Sequence, residues 1–454
     1  MGRTLIHNAV IINEEKRFEG YLVVDGEFIA EVGEGSVPDG VADGCDMVED
    51  AGGAMLIPGV IDEHVHFRDP GLTYKADIAT ESLAAVAGGV TSFIDMPNTK
   101  PLTVTLDALE AKYRRAAECS VANYAFFIGA TNDNIDTLLE CDYTRVPGVK
   151  LFLGSSTGNM LVNDEAALRR LFSEIKAVIA VHAESEAVIR ANRERIVAER
   201  GEELPVSVHS EIRDGRACYE STATAVALAR EYGSRLHVMH ISTADELRFF
   251  APGPVSSKRI TAETCPHYLL FSDGDYASLG GRIKCNPAIK TAADRDALRE
   301  AVADGRIDVV ATDHAPHLLA EKQGTALTAT SGMPMVQFSL PVMLTLAAGG
   351  MSTAETVVER MCHAPATLFG IDRRGFIRPG YYADLAVVAP CEPYAVSDSD
   401  VVSRCGWTPL AGLSLGYRVR STYVNGTRVW HDGHADGHAD GHAAVHPLRF
   451  KSTL

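Results

Sequence analysis

The sequence lacks the features that mark membrane, secreted and nucleic-acid-binding proteins. No stretch has close to 18 or so consecutive apolar residues, the length of a membrane-spanning helix. Segment 1–18 lacks the order of basic, then apolar, then small residues that marks a signal peptide. The nine cysteines are odd in number and include no CxxC pair, so we expect free thiols in a reducing compartment. Lys and Arg number 42 against 60 Asp and Glu, a formal net charge of −18. These features predict a cytoplasmic protein with neither membrane nor nucleic-acid partners.

The two ends of the chain read as β-structure. Near the start, YLVVDGEFIAEVG contains two β-type runs joined by Asp25-Gly26, and near the end STYVNGTRVW contains two joined by Asn425-Gly426. Such dipeptides between apolar runs are strong hairpin signals. We therefore predict one composite β-sheet domain built from 1–55 and 375–430.

The middle of the chain, 56–374, alternates β-type runs with amphipathic helical stretches such as Asp164–Lys176 and Glu220–Tyr232. Eight β-then-α units predict an α/β fold of the TIM-type (β/α)8 barrel class. The alternative is a doubly wound parallel sheet, but no glycine-rich phosphate loop follows the first strand. The predicted strands are Leu56–Phe67, Val90–Met96, Ala122–Ala130, Val149–Leu153, Val178–Val181, Leu236–Ile241, Arg259–Glu263 and Asp308–Ala311.

A low-complexity stretch, DGHADGHADGHA, lies at Asp432–Ala443 within the C-terminal segment 431–454. Its His and Asp residues could bind metal loosely. It carries no apolar pattern, so we interpret this stretch as a flexible, solvated insertion without a catalytic role, within a His-rich low-complexity tail, 431–454.

Polar residues interrupt the apolar runs at their carboxyl ends, which is the end where TIM-barrel active sites lie. Taken singly, a histidine at a strand end is more often structural, and an aspartate there could cap the next helix. Such residues at the carboxyl ends of several predicted strands at once are much less expected by chance. The residues concerned are His64 and His66 on the first strand, Lys150 on the fourth, His182 on the fifth, His237 and His240 on the sixth, and Asp313, His314 and His317 on the eighth.

Nitrogen and oxygen ligands without a thiolate favour Zn²⁺, with Mn²⁺ or Co²⁺ as lesser options. His64, His66, His182, His240 and Asp313 are too many ligands for one tetrahedral ion. Two ions roughly 3.5–4 Å apart would use them all, with an anion between them.

Lys150, within VPGVKLFLGSS, is the candidate for that anion. Period two places Val149, Leu151 and Leu153 on one face, toward the helices, and Lys150 on the other, toward the barrel interior. A free ammonium there would be repelled by two dications, whereas desolvation favours the neutral amine. That amine can add CO₂ to form a carbamate, a carboxylate-like bridge. The plainer alternative is an ion pair or a snorkelling side chain.

The motifs HVHFRDPG, DMPNTKP, GVKLFLG, VHAES, HVMHIST and ATDHAPH, in this order, resemble the amidohydrolase superfamily and most closely the dihydroorotases. The segment Cys362–Val388 also looks like the end of such a barrel re-entering its flanking sheet. The resemblance covers nearly the whole chain up to the His-rich stretch. It implies the reversible cyclisation of N-carbamoyl-L-aspartate to L-dihydroorotate in pyrimidine synthesis.

Carried over motif by motif, the resemblance implies that His64, His66 and Asp313 bind one metal and that His182 and His240 bind the second. Carboxylated Lys150 would bridge two Zn²⁺ ions. His240 is preferred to His237 because it directly precedes IST, as the family ligand does. Metal-activated hydroxide would attack the ring amide, and Asp313 would carry its proton to the departing nitrogen.

The small anionic substrate needs local positive charge. Arg68, two residues beyond His66, can grip a carboxylate through a forked pair of hydrogen bonds, and Asn98 and His317 would complete that grip. Asn286 resembles a substrate-contact residue, although a turn asparagine before Pro287 is about as good a reading. Gly332 is a candidate to present its backbone to the ring.

Three alternatives and one departure stay open at this point. A hydantoinase or allantoinase would share the metal ligands but typically lacks an arginine at position 68, and a non-catalytic scaffold would usually lose ligands. A homodimer is the oligomeric state that the family resemblance implies.

The loop GSSTGNMLV after Lys150 does not match the threonine-bearing closing loop of one dihydroorotase branch, so no role is assigned to it.

Overall fold

We describe the protein through a computed structural model, which covers residues 2–154, 160–436 and 445–451. Among these residues, no helix has the length and apolar character needed to cross a membrane. The cysteines are all free thiols, as the sequence predicted.

Strands from both ends of the chain form one mixed sheet, in the order β18-β17-β16-β15-β5-β1-β2-β3 with β4 beside β1. Strand β5 pairs with β1 on one side and with β15 on the other, so it joins the N-terminal strands to the C-terminal ones. The predicted composite sheet is confirmed. Its strands are β1 (Arg3–Asn13), β2 (Lys16–Asp25), β3 (Phe28–Glu34), β4 (Met47–Asp50), β5 (Met55–Pro58), β15 (Leu385–Ala395), β16 (Ser414–Val424), β17 (Thr427–His431) and β18 (His434–Ala435).

Both predicted hairpins are present. Asn425 and Gly426 form the two-residue turn between β16 and β17, and both have positive φ, 47° and 76°. This is the backbone that a type I′ turn requires. In the first hairpin Asp25 still pairs with Phe28, so the turn lies one residue later than the dipeptide predicted.

The middle of the chain forms the predicted parallel barrel. Its third strand is interrupted at Phe127, so that β8 pairs with β7 and β9 pairs with β10. The first and last strands meet through a parallel bridge between Val65 and His314, which closes the barrel. The barrel strands are β6 (Val60–Val65), β7 (Val90–Asp95), β8 (Asn123–Phe126), β9 (Ile128–Gly129), β10 (Gly148–Phe152), β11 (Val178–His182), β12 (Leu236–Val238), β13 (Ile260–Thr264) and β14 (Val309–Val310).

Helices follow the strands and cover the barrel. The predicted helix Asp164–Lys176 is α4, where the Asp164 side chain accepts a hydrogen bond from the Ala167 amide as an N-cap. The predicted helix Glu220–Tyr232 is the later part of α7. The helices are α1 (Ile78–Ala87), α2 (Leu106–Cys119), α3 (Ile135–Leu139), α4 (Glu165–Glu174), α5 (Glu186–Arg200), α6 (His209–Ile212), α7 (Gly215–Tyr232), α8 (Pro266–Leu270), α9 (Tyr276–Leu279), α10 (Ala292–Asp304), α11 (Ser339–Ala348), α12 (Ala354–Val358) and α13 (Ala364–Phe369).

Two segments outside the regular units pack against the barrel. In the segment between β15 and β16, the Trp407 indole Nε1 donates a hydrogen bond of 2.7 Å to the backbone oxygen of His317. At the C-terminal end, Leu448 and Phe450 are buried, and the Leu448 amide donates to the Tyr124 oxygen. Most of the DGHA repeat, 437–444, lies outside the described residues. The domain bounds predicted from sequence stay a prediction.

Candidate active site and metal centre

One cavity of about 190 Å³ opens at the carboxyl end of the barrel strands. All eleven residues that the sequence predicted for the site line its wall, together with Phe152, Ala315 and Ser331. The eleven are His64, His66, Arg68, Asn98, Lys150, His182, His240, Asn286, Asp313, His317 and Gly332. The structure thus brings together the complete predicted set, while the role of each residue stays a prediction.

Three residues at this cavity have a left-handed backbone conformation. Arg68, His240 and Asp313 each follow a barrel strand and have positive φ, at 67°, 42° and 46°. Left-handed backbone is unfavourable for side chains other than glycine, and it persists where surrounding structure enforces it, often at functional sites. Here it occurs at residues whose side chains line the cavity.

His64, His66 and Asp313 form a compact group of metal-ligating atoms. The Nε2 atoms of His64 and His66 lie 3.3 and 3.0 Å from the same Asp313 oxygen, Oδ1. Burial alone would raise the pKa of Asp313, but the charges and hydrogen bonds of the two histidines lower it well below its usual range. The Asp313 carboxylate is therefore anionic and available as a ligand.

Each histidine of this group is oriented through its other ring nitrogen. Nδ1 of His64 lies 2.9 Å from the Glu263 carboxylate, and Nδ1 of His66 lies 2.8 Å from Oδ1 of Asn98. When Nδ1 carries the proton and donates in this way, Nε2 keeps its lone pair for a metal ion. The arrangement is the usual support for metal-ligating imidazoles.

His182 and His240 form the second group. Nδ1 of His182 and Nε2 of His240 lie 2.8 Å apart, so the two rings direct nitrogen atoms at one another. Burial, followed by the charge of His182, lowers the pKa of His240 well below its ordinary value. His240 is therefore a neutral imidazole, which is the form that binds metal.

Lys150 lines the same cavity as these groups, with its side chain fully buried. Its Nζ donates to the Met239 sulfur at 2.7 Å, and among the described residues it forms no ion pair with a carboxylate. Burial lowers its pKa to about 8, so the neutral amine is accessible near neutral pH. The neighbouring Val149 and Leu151 pack into the hydrophobic core, as the alternation of the strand predicted.

The residues present fit a two-metal site. Three ligand atoms converge at His64, His66 and Asp313, and two imidazole nitrogens converge at His182 and His240. Lys150 has a depressed pKa and, among the described residues, only a thioether acceptor, which is a poor environment for a permanent ammonium. An amine converted to an anion would complete the donor set there.

A cationic region borders the metal-ligating groups. The Arg68 guanidinium is buried, with Nε donating to the Pro316 oxygen at 3.0 Å and Nη2 lying 3.0 Å from Nε2 of His317. Nζ of Lys75 lies 2.9 Å from Nδ1 of the same imidazole. Burial and these two cations depress the pKa of His317 far below its ordinary value, so the ring stays neutral.

The other three predicted substrate contacts are partly engaged with the protein. Oδ1 of Asn98 is occupied by His66, which leaves its amide group for a ligand. Oδ1 of Asn286 accepts from His209 at 3.1 Å. The Gly332 amide donates to the Lys284 oxygen at 2.9 Å, and its own oxygen accepts from Nζ of Lys322 at 2.6 Å.

Sequence reasoning missed several residues that support the site, among them Glu184, whose carboxylate lies 3.0 Å from Nε2 of His182, as well as Glu263 and Lys75. Glu263 lies one residue before the end of the barrel strand ITAET, so the rule that identified the histidines would also have found it. Its carboxylate also accepts from the His240 amide at 2.9 Å. Lys75 follows no strand, and the sequence contains no signal for its contact with His317. Residues 155–159 of the loop after Lys150 lie outside the described residues.

Comparisons with known proteins agree on one class of enzyme. The sequence model described as the amidohydrolase family matches residues 55–429. A dihydroorotase of Halobacterium salinarum is 37% identical over 90% of this chain and 92% of its own length. An allantoinase of Streptomyces avermitilis is 36% identical over 85% and 86%. The structure of an L-hydantoinase from Arthrobacter aurescens has a TM-score of 0.89 and 27% identity, covering 96% of this chain and 97% of that one.

Proposed function

The chain belongs to the amidohydrolase family and is a metal-dependent cyclic amide hydrolase, and from this premise we propose that it is a dihydroorotase. It would interconvert N-carbamoyl-L-aspartate and L-dihydroorotate in pyrimidine biosynthesis. The relatives named dihydroorotase and allantoinase are similarly distant, so the choice between substrates depends on the cavity.

The observation that carries the proposal is the buried guanidinium of Arg68. Among the described residues it forms no ion pair with a carboxylate, and its hydrogen bonds go to a backbone oxygen and to the imidazole of His317. A buried cation without a counter-charge is unfavourable, and a substrate carboxylate would supply that charge through a forked pair of hydrogen bonds. Dihydroorotate carries a ring carboxylate, whereas hydantoin and allantoin lack one.

Metals held by His64, His66 and Asp313 and by His182 and His240, with carboxylated Lys150 as the shared ligand, would polarise the amide carbonyl and activate water at neutral pH. The carbamate forms when the neutral Lys150 amine adds CO₂ and loses a proton. Zn²⁺ suits this donor set best, with Mn²⁺ or Co²⁺ as alternatives.

The residues of the chain perform the remaining steps. Arg68 and the Asn98 amide would donate to the substrate carboxylate, while His317 would orient the Arg68 guanidinium; this grip would fix the ring amide beside the metal ligands. Asp313, an anion at neutral pH, accepts the proton of the attacking water and delivers it to the departing ring nitrogen. For cyclisation the same carboxylate removes the proton from the carbamoyl nitrogen as the ring closes.

A hydantoinase or allantoinase activity is the second candidate, favoured by the allantoinase relative and by the hydantoinase structure. Such substrates would use the same metal ligands. They would leave Arg68 without a counter-charge, which is why we place them second.

A substrate panel tests the choice. Metal-loaded enzyme is assayed with dihydroorotate, hydantoin, dihydrouracil and allantoin, and dihydroorotate should be turned over best. Arg68→Gln should reduce kcat/KM for dihydroorotate by about 100-fold, since a charged hydrogen-bonded contact is lost, with little effect on neutral substrates. Arg115→Gln is the matched control, because Arg115 pairs with Asp69 outside the cavity. Robust hydantoin turnover without dihydroorotate turnover would overturn the proposal.

The proposal also includes location and assembly. The free thiols and the net charge of −18 support a cytoplasmic enzyme that binds a small anion and neither nucleic acid nor membrane. A homodimer is expected, and sedimentation of the metal-loaded protein tests it.

A further inference from the structure

A second cavity lies at the amino end of the barrel, opposite the candidate active site. Its volume is about 480 Å³, within the range that small-molecule ligands occupy. It forms where three consecutive strands begin, because Lys176 precedes β11, Arg235 precedes β12 and Arg259 precedes β13. We call this cavity the basal pocket.

Positive charge dominates the basal pocket. Lys258 also lines it, but its ammonium is neutralised by Asp308 at 2.6 Å. The other three cations form no ion pair among the described residues. They donate instead to backbone oxygens: Lys176 to Ser173, Arg235 to Leu368 and Arg259 to Gly233.

The environment of Arg235 shows that the charge is uncompensated. Burial lowers its pKa first, and the charge of Arg259 lowers it further. Two guanidinium groups therefore repel one another at this site. Arg235 is half-buried beside the exposed Arg259, so an anion bound between the two guanidinium groups would relieve their repulsion.

We propose that the basal pocket binds a phosphate monoester of a small metabolite. Guanidinium groups match phosphate oxygens through paired hydrogen bonds, and an ammonium adds a point charge. The pocket is concave and larger than a phosphate group, which leaves room for an organic body beside it. Ser256 and Ser257 also line the pocket. This site is independent of the substrate proposed for the active site.

Calorimetric titration of the metal-loaded protein tests the site, with inorganic phosphate and ribose 5-phosphate as probes at constant ionic strength. Saturable binding is expected, tighter for ribose 5-phosphate. The double variant Arg235→Gln, Arg259→Gln should raise the Kd for ribose 5-phosphate by at least about ten-fold, since two charged hydrogen-bond donors are lost. Arg195→Gln, Arg216→Gln is the matched control, because it removes the same charge from two exposed helix positions and should leave Kd unchanged.

Three outcomes would overturn the proposal: neither probe saturates, the Arg235 and Arg259 double variant binds as tightly as the wild type, or the control weakens binding equally. A glutamate-rich peptide that binds through the same arginines, without any phosphate binding, would indicate a protein partner instead. Lys176→Gln tests the site separately in case the double variant misfolds, because Lys176 is exposed and its substitution should not disturb the fold. It should weaken binding while leaving circular dichroism unchanged.

Discussion

The barrel interior contains two groups of histidines and acids, and they differ in what surrounds them. The upper group, His64, His66 and Asp313, lines the candidate active-site cavity. The lower group, Glu63, His237 and Glu263, is fully buried beneath it. Both groups bring their ligand atoms close enough to hold a metal ion.

The lower group is balanced by its own charges. His237 contacts Glu63 at 2.8 Å and Thr261 at 2.8 Å through its two ring nitrogens. Burial alone would lower the pKa of His237, but the two glutamates raise it to about 9. The imidazole is therefore an internal cation held between carboxylates.

The upper group also contains paired charges, since His64 contacts both Asp313 and Glu263, but a cation without a counter-charge lies beside it. Among the described residues, Lys150 forms no ion pair and has only a thioether acceptor, and His182 and His240 direct nitrogen atoms at one another. The comparison teaches that residue type alone does not identify a metal site. Access to a cavity, together with polar groups that the protein leaves without matching charge, separates the candidate centre from a structural cluster.

The largest effect should follow removal of Lys150, which would leave the upper group and the His182–His240 pair without their proposed shared ligand. Lys150→Ala should lower bound metal from about two ions per chain and reduce kcat by more than about 1,000-fold. Short carboxylic acids should restore part of both by occupying the vacated volume. Elemental analysis and the hydrolysis assay measure the result. Unchanged metal content would contradict the carbamate assignment.

Glu263 links the two groups, so its variant tests whether the lower one supports the upper one. Glu263→Gln removes the carboxylate that orients His64 and should weaken metal affinity about 10- to 100-fold. Glu63→Gln is the matched control, since Glu63 contacts His237 and not the ring of His64. Titration with a metal chelator compares them. Equal losses in both variants would mean that Glu263 acts through overall charge rather than through His64.

Gly332 tests access to the upper group without a change in charge. Its φ of 127° is unfavourable for a side chain, and a Cβ would lie 2.8 Å from the Ala315 oxygen and 3.1 Å from the His317 ring. Gly332→Ala should therefore raise KM about ten-fold, which corresponds to the strain of one such contact, and should leave metal content intact. A loss of metal would show that the loop supports the ligands as well.

The smallest effect on catalysis is expected from a substitution of His237 in the lower group, which should instead change the thermal stability of the protein. The pKa of His237 in the folded protein is about 9, above the usual 6.5 or so. Its contribution to the free energy of unfolding is therefore fully present below about pH 6.5 and is lost as the pH rises toward 9. His237→Gln should lower Tm at pH 7 and flatten the decline of Tm between pH 7 and 9. Parallel Tm curves would contradict the charged state of His237.

Much of the fold was predictable because its signals are local. Alternation of side chains along a strand fixed the direction of Lys150, and a two-residue turn at Asn425-Gly426 fixed a hairpin. The contact of Lys75 with His317 was not predictable, because it joins residues 242 positions apart. The first hairpin turn was misplaced by one residue because Asp25 can pair as well as turn.

The sequence by itself determined which strands exist, which side chains lie at their carboxyl ends and which family the chain resembles. Each of these depends on spacing between near neighbours. Only the tertiary structure decided that His64 meets Glu263, that the cations Lys75 and Arg68 flank one imidazole, and that Arg235 and Arg259 share a basal pocket. Those contacts arise when Val65 and His314 close the barrel, since closure sets the register between distant strands and no local pattern encodes it.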